Sequence, residues 1–141
     1  MITALTPDVL PACVALYVET FTAPPWDESW TLDDAAVRLL DFLTTPRAHG
    51  VVARVDGEVV GFALGHLERS GAEDHFLLQE MCVRPDLQGH GHGSRLLRAL
   101  ADELDHVTHW YLLTLRDGRA ATFYERHGFR PARRIGVYVR P

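Results

Sequence analysis

A glycine-rich stretch in the second half of the chain is the part of the sequence best suited to chemistry. It reads Gln88-Gly89-His90-Gly91-His92-Gly93-Ser94. Glycines let a backbone approach a ligand closely, and the free N–H groups at the start of a helix attract negative charge. Leucines at positions 96, 97, 100 and 104 share one helical face, so a helix is predicted directly after the stretch. The sequence therefore predicts an anion site at residues 88–94.

Three other interpretations of this loop are weaker. A dinucleotide fingerprint needs a sixth-position glycine and a place in a first βαβ unit, and the loop has neither. A phosphate loop of the Walker type needs a lysine, and the chain contains none. His90 and His92 suggest a metal, but no third or fourth ligand stands at the usual spacing. We therefore predict no metal site.

The elements that must position this loop follow from the hydrophobic periodicity. Strands are predicted at residues 2–5, 50–55, 58–67, 75–83, 110–115 and 133–140. Helices are predicted at residues 8–21, from Thr31 to the region before Pro46, after residue 94, and at 120–127. The order β-α-α-β-β-β-α-β-α-β indicates an α+β or α/β fold with a mixed sheet. We expect residues 1–141 to form a single domain.

Local signals fix some details of these elements. Asp56-Gly57 joins two strand-like segments and predicts a tight hairpin. Thr31, with Asp34 three residues later, is typical of a helix N-cap. Strict alternation along residues 75–83 predicts that one face of that strand carries Phe76, Leu78, Glu80 and Cys82.

Composition limits the partners. The chain has 141 residues, with 19 acidic and 14 basic side chains and a net charge of −5, and every basic residue is arginine. Such a chain is poorly suited to nucleic acid or to an anionic membrane surface. Cys13 and Cys82 are expected to be reduced thiols, and no secretory or membrane-spanning segment is visible. These features predict a cytoplasmic protein.

Two motifs resemble those of the GCN5-related N-acetyltransferases, the GNAT superfamily. A strand ending at Val83 and the loop from Gln88 to Gly93 resemble motif A, and the segment from Ala120 to Phe129 resembles motif B, Ala-x-x-x-Tyr-Glu-x-x-Gly-Phe. Asp117 departs from the asparagine that often precedes motif B. The resemblance implies a mostly antiparallel mixed sheet of about six to seven strands, flanked by about four helices.

The resemblance also implies acetyl-CoA as co-substrate. Backbone groups of Met81, Cys82 and Val83 would hold the pantetheine arm and the acetyl carbonyl. The pyrophosphate would lie on the N–H groups of residues 88–94, and Arg84 and Arg95 could add charge there. This agrees with the anion site predicted from the glycines alone.

Catalytic roles follow from the same resemblance. Tyr124 would be the general acid that protonates the departing thiolate. Glu80, on the strand that leads to Val83, would take the proton of the amine directly or through a water. In some members the base stands two residues earlier, where this chain has Leu78, so a purely substrate-binding role for Glu80 stays open. Cys82 as an acetyl-carrying nucleophile is a further alternative.

The acceptor is less defined by the sequence. Trp26, Asp27, Glu28 and Trp30 lie between the first two helices and could bind a cationic amine, with residues 73–75 as an opposite wall. We expect acetyl transfer to a primary amine of a small cationic molecule. Acetylation of a protein N-terminus or lysine, and a non-catalytic CoA-binding module, are the alternatives. A homodimer is left open.

Overall fold

A five-stranded sheet forms the centre of the computed structural model, which describes all 141 residues. The strands β1 to β5 follow each other in chain order: Ile2–Ala4, Ala48–Val55, Glu58–Ser70, Glu73–Val83 and His109–Tyr111. Neighbouring strands are antiparallel except β4 and β5, which run parallel. The architecture is the predicted α+β fold with a mixed sheet.

Four helices connect and cover the sheet: α1 at Leu10–Thr22, α2 at Leu32–Leu43, α3 at His92–Glu103 and α4 at Arg119–Arg126. Short 3-10 turns at Pro7–Val9 and Pro85–Leu87 precede α1 and the loop before α3. None of the helices combines the length and the apolar character that crossing a bilayer requires.

The predicted turn and cap are confirmed. Asp56 and Gly57 both have positive φ angles, 51° and 82°, as a two-residue hairpin turn demands. The Thr31 hydroxyl accepts a hydrogen bond from the Asp34 N–H at 3.1 Å and caps α2. Both features are local, which explains why short sequence patterns were enough to predict them.

Two hydrophobic clusters lie on opposite faces of the sheet. One contains Phe76, Leu78 and the buried leucines of α3. The other contains Phe62 and the buried residues of α1 and α2, including Cys13. Residues of β2, β3 and β4 contribute to both clusters, so one sheet holds the two helical layers in place.

The last predicted strand is wrong. Residues 133–140 alternate as a strand would, but they pair with no other strand, and the sheet has five strands where six to seven were predicted. Ile135, Val137 and Val139 are exposed. The preceding strand is also shorter than predicted, since β5 ends at Tyr111. Alternation reports a residue preference, whereas a strand also needs a hydrogen-bonded neighbour.

Candidate active site

An irregularity in β4 determines where its side chains point. Opposite β3, Leu64 pairs with Glu80 and Gly65 pairs with Leu78, so Gln79 is an extra residue without a partner. Such a bulge shifts every later side chain of the strand to the other face. The ring of Phe76 packs directly against Gly65 of β3. A side chain at this position would not fit, because its Cβ would lie 2.6 Å from the ring.

The bulge contradicts the predicted alternation of β4. Phe76 and Leu78 lie in the α3-side cluster, whereas Cys82 lies in the cluster of α1 and α2. Glu80 points to the same side as Cys82, where it contacts Tyr17 of α1. The four side chains therefore do not share a face, because strict alternation assumes a strand without an inserted residue.

Glu80 is a buried carboxylate with one oxygen in use and one free. Its Oε1 accepts from Nε of Arg38 at 2.7 Å and from the Tyr17 hydroxyl at 3.4 Å. No protein group bonds to Oε2. This atom is also accessible to solvent, because the only fully buried side-chain polar atom without a partner is Thr20 Oγ1. Burial raises the pKa of Glu80 above its ordinary value, against the opposing effect of Arg38.

Arg38 holds this carboxylate from α2. Its guanidinium carbon lies 4.8 Å from the ring centre of Phe42 and 5.8 Å from that of Trp30. Only Nε donates a hydrogen bond within the protein, and 42% of the side chain is exposed. Nothing in the sequence singles out Arg38, except that it is the one basic residue of α2.

A cavity of about 140 Å³ opens beside Glu80, between β4 and the segment 112–115. Most of its lining is hydrophobic, and α4 closes one side. The wall includes two predicted catalytic residues, one predicted backbone contact and one predicted acceptor residue: Glu80, Tyr124, Met81 and Trp26. Side chains chosen from distant parts of the sequence thus meet around one small space.

Tyr124 lines this space from α4. Its ring packs edge-on against Phe123 and Phe129, at 5.3 and 5.6 Å between ring centres. The hydroxyl has no hydrogen-bond partner in the protein. Burial, together with the negative charge of Glu80, raises the pKa of Tyr124 to about 12. Tyr124 therefore keeps its proton at neutral pH.

The predicted acceptor residues divide into two layers. Trp26 lines the cavity and packs against Phe21, with the ring centres 5.3 Å apart and the rings tilted by 59°. Trp30 lies behind it, packs on Tyr17 at 5.0 Å, and donates from Nε1 to Glu28 at 2.8 Å. Asp27 does not line the cavity and is exposed.

The predicted opposite wall lies elsewhere. Residues 73–75 begin β4 at its far end and do not line the cavity. Asp74 instead accepts from Arg47 at 2.5 Å and Arg69 at 3.1 Å, and pairs with His106 at 3.1 Å. Hydrogen bonds from Arg47, His106 and Arg69 hold the pKa of Asp74 well below its usual range. These residues tie β3, β4 and their neighbours together.

A second cavity, of about 400 Å³, opens at the glycine-rich loop. Gly89 and Gly91 have φ angles of 82° and 87°, and Gly91 directly precedes α3. Four predicted loop residues line the cavity: Gly89, Gly91, Gly93 and Ser94. A cradle of glycine backbone at a helix N-terminus suits a phosphate group, so this loop fits the pyrophosphate of CoA.

The other predicted cofactor residues lie around this cradle and do not line it. The Gln88 side chain donates to the Val83 carbonyl at 3.0 Å. His90 Nδ1 lies 3.1 Å from the Gln88 carbonyl, and His92 Nδ1 lies 3.1 Å from Arg95. No group of three or more histidine, cysteine or acidic side chains that could hold a metal is present.

Two arginines predicted to help with phosphate differ in their contacts. Arg84 bonds to Asp86 at 2.7 Å and to Glu58 at 3.4 Å. Arg95 bends over the loop and donates to the His90 carbonyl at 3.2 Å. Arg84 is therefore engaged in ion pairs, whereas Arg95 remains next to the cradle.

Part of the second cavity comes from α4 and the residue that follows it, and these side chains were not predicted from the sequence. Phe123, Arg126 and His127 line it, and His127 Nε2 lies 2.9 Å from the Ser94 hydroxyl. All three residues belong to the motif-B segment. The motif therefore identifies them once α4 is known to face the glycine-rich loop.

Cys82 does not fit a nucleophile. Its side chain is 6% exposed and belongs to the core cluster of α1 and α2. Burial raises the pKa of its thiol well above the ordinary value, and the charge of Glu80 acts in the same direction. A thiol that resists ionisation in this way is a poor nucleophile.

Comparison with known proteins identifies the family of the chain. The acetyltransferase (GNAT) domain model matches residues 46–131, more than half of the chain. The chain therefore belongs to the GNAT family. No curated protein sequence matches the chain significantly. The chain is an N-acetyltransferase, and the family uses acetyl-CoA as co-substrate.

Solved structures of similar fold include three with informative descriptions. A possible acetyltransferase from Clostridium difficile 630 has a TM-score of 0.83 at 15% identity, covering 100% of this chain and 96% of that one. A ribosomal-protein-alanine N-acetyltransferase from Brucella melitensis biovar Abortus 2308 gives 0.79 at 18%, covering 99% and 98%. The aminoglycoside acetyltransferase meta-AAC0020 from an uncultured soil metagenomic sample, in complex with sisomicin, gives 0.72 at 15%, covering 100% and 94%. At these identities the likeness concerns the fold.

Proposed function

We propose that the protein transfers the acetyl group of acetyl-CoA directly to the primary amine of a small molecule. The amine enters the site as a cation, the ammonium ion. One observation carries the proposal: Glu80, whose Oε2 has no protein partner, and Tyr124, whose hydroxyl has none, both line the same small cavity. Direct transfer needs a group that removes a proton from the amine and a group that protonates the departing sulfur. We infer that residues 1–141 act together as one catalytic domain.

The cofactor contacts are mainly backbone groups. The N–H groups of residues 88–94 and the start of α3 would hold the pyrophosphate. Beyond Leu77, β4 has no partner on its β5 side, so the backbone groups of residues 81–83 that point away from β3 can contact the pantetheine arm, apart from the Val83 carbonyl, which accepts from Gln88.

Acetyl-CoA supplies the activated thioester. The N–H of Val83 would donate to the acetyl oxygen as negative charge develops there. It points away from β3, because the next N–H, that of Arg84, donates to the Val60 carbonyl of β3 and successive N–H groups alternate along a strand.

Glu80 would act on the amine. An amine reaches the site as an ammonium ion and becomes a nucleophile only after losing a proton. Oε2 would accept that proton, directly or through one water, while Oε1 stays bonded to Arg38. The raised pKa of Glu80 brings its basicity closer to that of the amine, which makes the proton transfer less unfavourable.

Tyr124 would act on the leaving group. Its proton is retained at neutral pH because the pKa of the hydroxyl is about 12. The hydroxyl can therefore donate to the thiolate as the carbon–sulfur bond breaks. After attack the nitrogen still carries one proton too many, and the tyrosinate would regain its proton from that nitrogen, directly or through a water.

Acetylation of a protein N-terminus is the second candidate, because a neighbour in fold is described as a ribosomal-protein-alanine N-acetyltransferase. The size of the acceptor cavity favours the small molecule. A cavity of about 140 Å³ walled by Trp26 and Phe21 leaves little room for an extended chain.

A thiol-release assay with acetyl-CoA tests the proposal. The panel would contain amino acids, polyamines, aminoglycosides and short peptides, each with a no-enzyme control. We expect turnover with at least one small amine and acetylation of its nitrogen by mass spectrometry. Turnover restricted to peptides would support the second candidate. Calorimetric binding of acetyl-CoA without turnover of any amine would contradict both, and would support a non-catalytic CoA-binding module.

A further inference from the structure

Arg38 has hydrogen-bonding capacity that the protein does not use. Its Nε is bonded to Glu80, but neither terminal nitrogen donates to a protein group. Phe42 and Trp30 hold the guanidinium in place from the sides. The side chain of Arg38 is 42% exposed, so a ligand can reach it from solvent. A fixed guanidinium with two free nitrogens is the geometry that binds a carboxylate in a bidentate manner.

Arg38 lies just outside the lining of the cavity, but it contacts Glu80 directly, at 2.7 Å between Nε and Oε1. A small ligand that bonds to Oε2 therefore lies within reach of the guanidinium. Together the two side chains carry no net charge. Glu28 adds one negative charge nearby, but its Oε1 already accepts from Trp30.

From this pairing we infer that the acceptor carries a carboxylate next to its amine, as a free α-amino acid does. The ammonium would lie against Oε2 of Glu80, and the carboxylate against the terminal nitrogens of Arg38. The inference rests on the proposed function, because it specifies the acceptor of the same site.

The charge arrangement separates this class from other amines. A polyamine or an aminoglycoside would bring positive charge against Arg38, and such like-charge contacts are unfavourable. A peptide N-terminus has an amide where the amino acid has its carboxylate, so Arg38 would gain no ion pair. The apolar lining of the cavity, with Phe21 and Trp26, favours an amino acid with an apolar side chain.

Matched acceptors test the inference. For leucine and phenylalanine, kcat/KM is measured for the free amino acid, its carboxamide and the amine without the carboxyl group. The three compounds share the side chain and the amine and differ only at the carboxylate. We expect the free amino acid to be preferred by about tenfold or more, as the strength of hydrogen bonds between charged groups suggests.

Variants then assign the preference to Arg38. In Arg38→Gln, the ratio of kcat/KM between amino acid and carboxamide should fall towards one, mainly through KM of the amino acid. The variant also removes the ion-pair partner of Glu80, but this change affects the amino acid and the carboxamide alike. The ratio of their kcat/KM values therefore reports carboxylate binding alone. Arg38→Lys should give an intermediate ratio. Arg98→Gln, on the exposed side of α3 and without an ion pair, is the matched control and should keep the ratio of the unmodified protein.

The outcomes separate the inference from the proposed function. If carboxamides or simple amines are acetylated as well as the amino acids, the inference is wrong and the proposed function stands. If no amine is acetylated, the proposed function fails, and calorimetric titration with the amino acids decides the Arg38 site alone. The site is supported if the unmodified protein binds the amino acid more tightly than its carboxamide and Arg38→Gln loses this preference. Equal binding of the two compounds, or no binding, overturns it. Circular dichroism checks that each variant is folded.

Discussion

The two sides of the proposed active site are built in different ways. The cofactor side consists of residues 88–94 with the start of α3, a continuous segment that acts through backbone N–H groups. The acceptor side centres on Glu80. Its two partners, Tyr17 and Arg38, are 63 and 42 positions away from it in the sequence. A backbone site can be encoded by a short run of glycines. A side-chain site of this kind exists only after three elements have packed together.

The largest expected effect on this comparison comes from Glu80→Gln on the acceptor side. The change keeps the shape and removes the base, so we expect kcat to fall by roughly a thousandfold with little change in KM for acetyl-CoA. In the unmodified protein, activity should fall as pH drops through the raised pKa of Glu80, because only the carboxylate accepts a proton. The variant should lack this acid limb in a pH–rate profile. Undiminished turnover by Glu80→Gln would show that another group is the base.

Tyr124→Phe should have the next largest effect. Loss of the hydroxyl removes the proton donor to sulfur, and we expect kcat to fall by about a hundredfold. In the unmodified protein, Tyr124 should impose no basic limb at ordinary assay pH, because its pKa is about 12. Tyr138→Phe is the matched control, since that side chain is 98% exposed in the C-terminal segment, and it should leave steady-state rates unchanged. Equal rates for the two variants would remove Tyr124 from the mechanism.

Gly91→Ala probes the cofactor side alone. Alanine at φ 87° is strained, and its Cβ would lie 3.1 Å from Arg95. The free loop should relax out of the left-handed conformation in this variant, and restoring that conformation on binding at a cost of about 1–2 kcal/mol corresponds to roughly a tenfold rise in KM for acetyl-CoA. KM for the amine should stay the same. Gly136→Ala, where an added Cβ meets nothing, is the control. A change in amine KM as large as that for acetyl-CoA would mean that the two sides are not independent.

Thr31→Ala should have the smallest effect and act through α2. Loss of the cap that Thr31 provides to the Asp34 N–H should lower the free energy of unfolding by about 1 kcal/mol, measured by urea denaturation. Thr108→Ala, at an exposed threonine outside helices and strands, should leave the unfolding free energy within a few tenths of a kcal/mol of the starting value. A Thr31 variant as stable as the Thr108 variant would show that the cap does not contribute to α2.

The same contrast explains what could be predicted from sequence. The Asp56-Gly57 turn, the Thr31 cap and the loop before α3 depend on a few adjacent residues, and their patterns predicted them. The insertion of Gln79 has no signature in the sequence of β4, because a bulge is defined by the partner strand. Without it, Glu80 was assigned to the wrong face.

Other parts of the site also depend on distant contacts. Arg38 was not predicted because an arginine on a helix reveals nothing about the carboxylate it will meet. The strand predicted at residues 133–140 was wrong for a related reason, since alternation cannot supply a neighbouring strand. In each case the missing information is a tertiary partner and not a local preference.

The burial of both cysteines has a practical consequence for measuring this enzyme. Cys13 and Cys82 are the only thiols of the chain, they are 0% and 6% exposed, and burial raises the pKa of Cys13 to about 12 and that of Cys82 well above its ordinary value. A thiol reagent at neutral pH therefore finds little to modify in the folded protein. Rapid colour development reports coenzyme thiol released by transfer, and slow development without substrate reports opening of the core between the sheet and the first two helices.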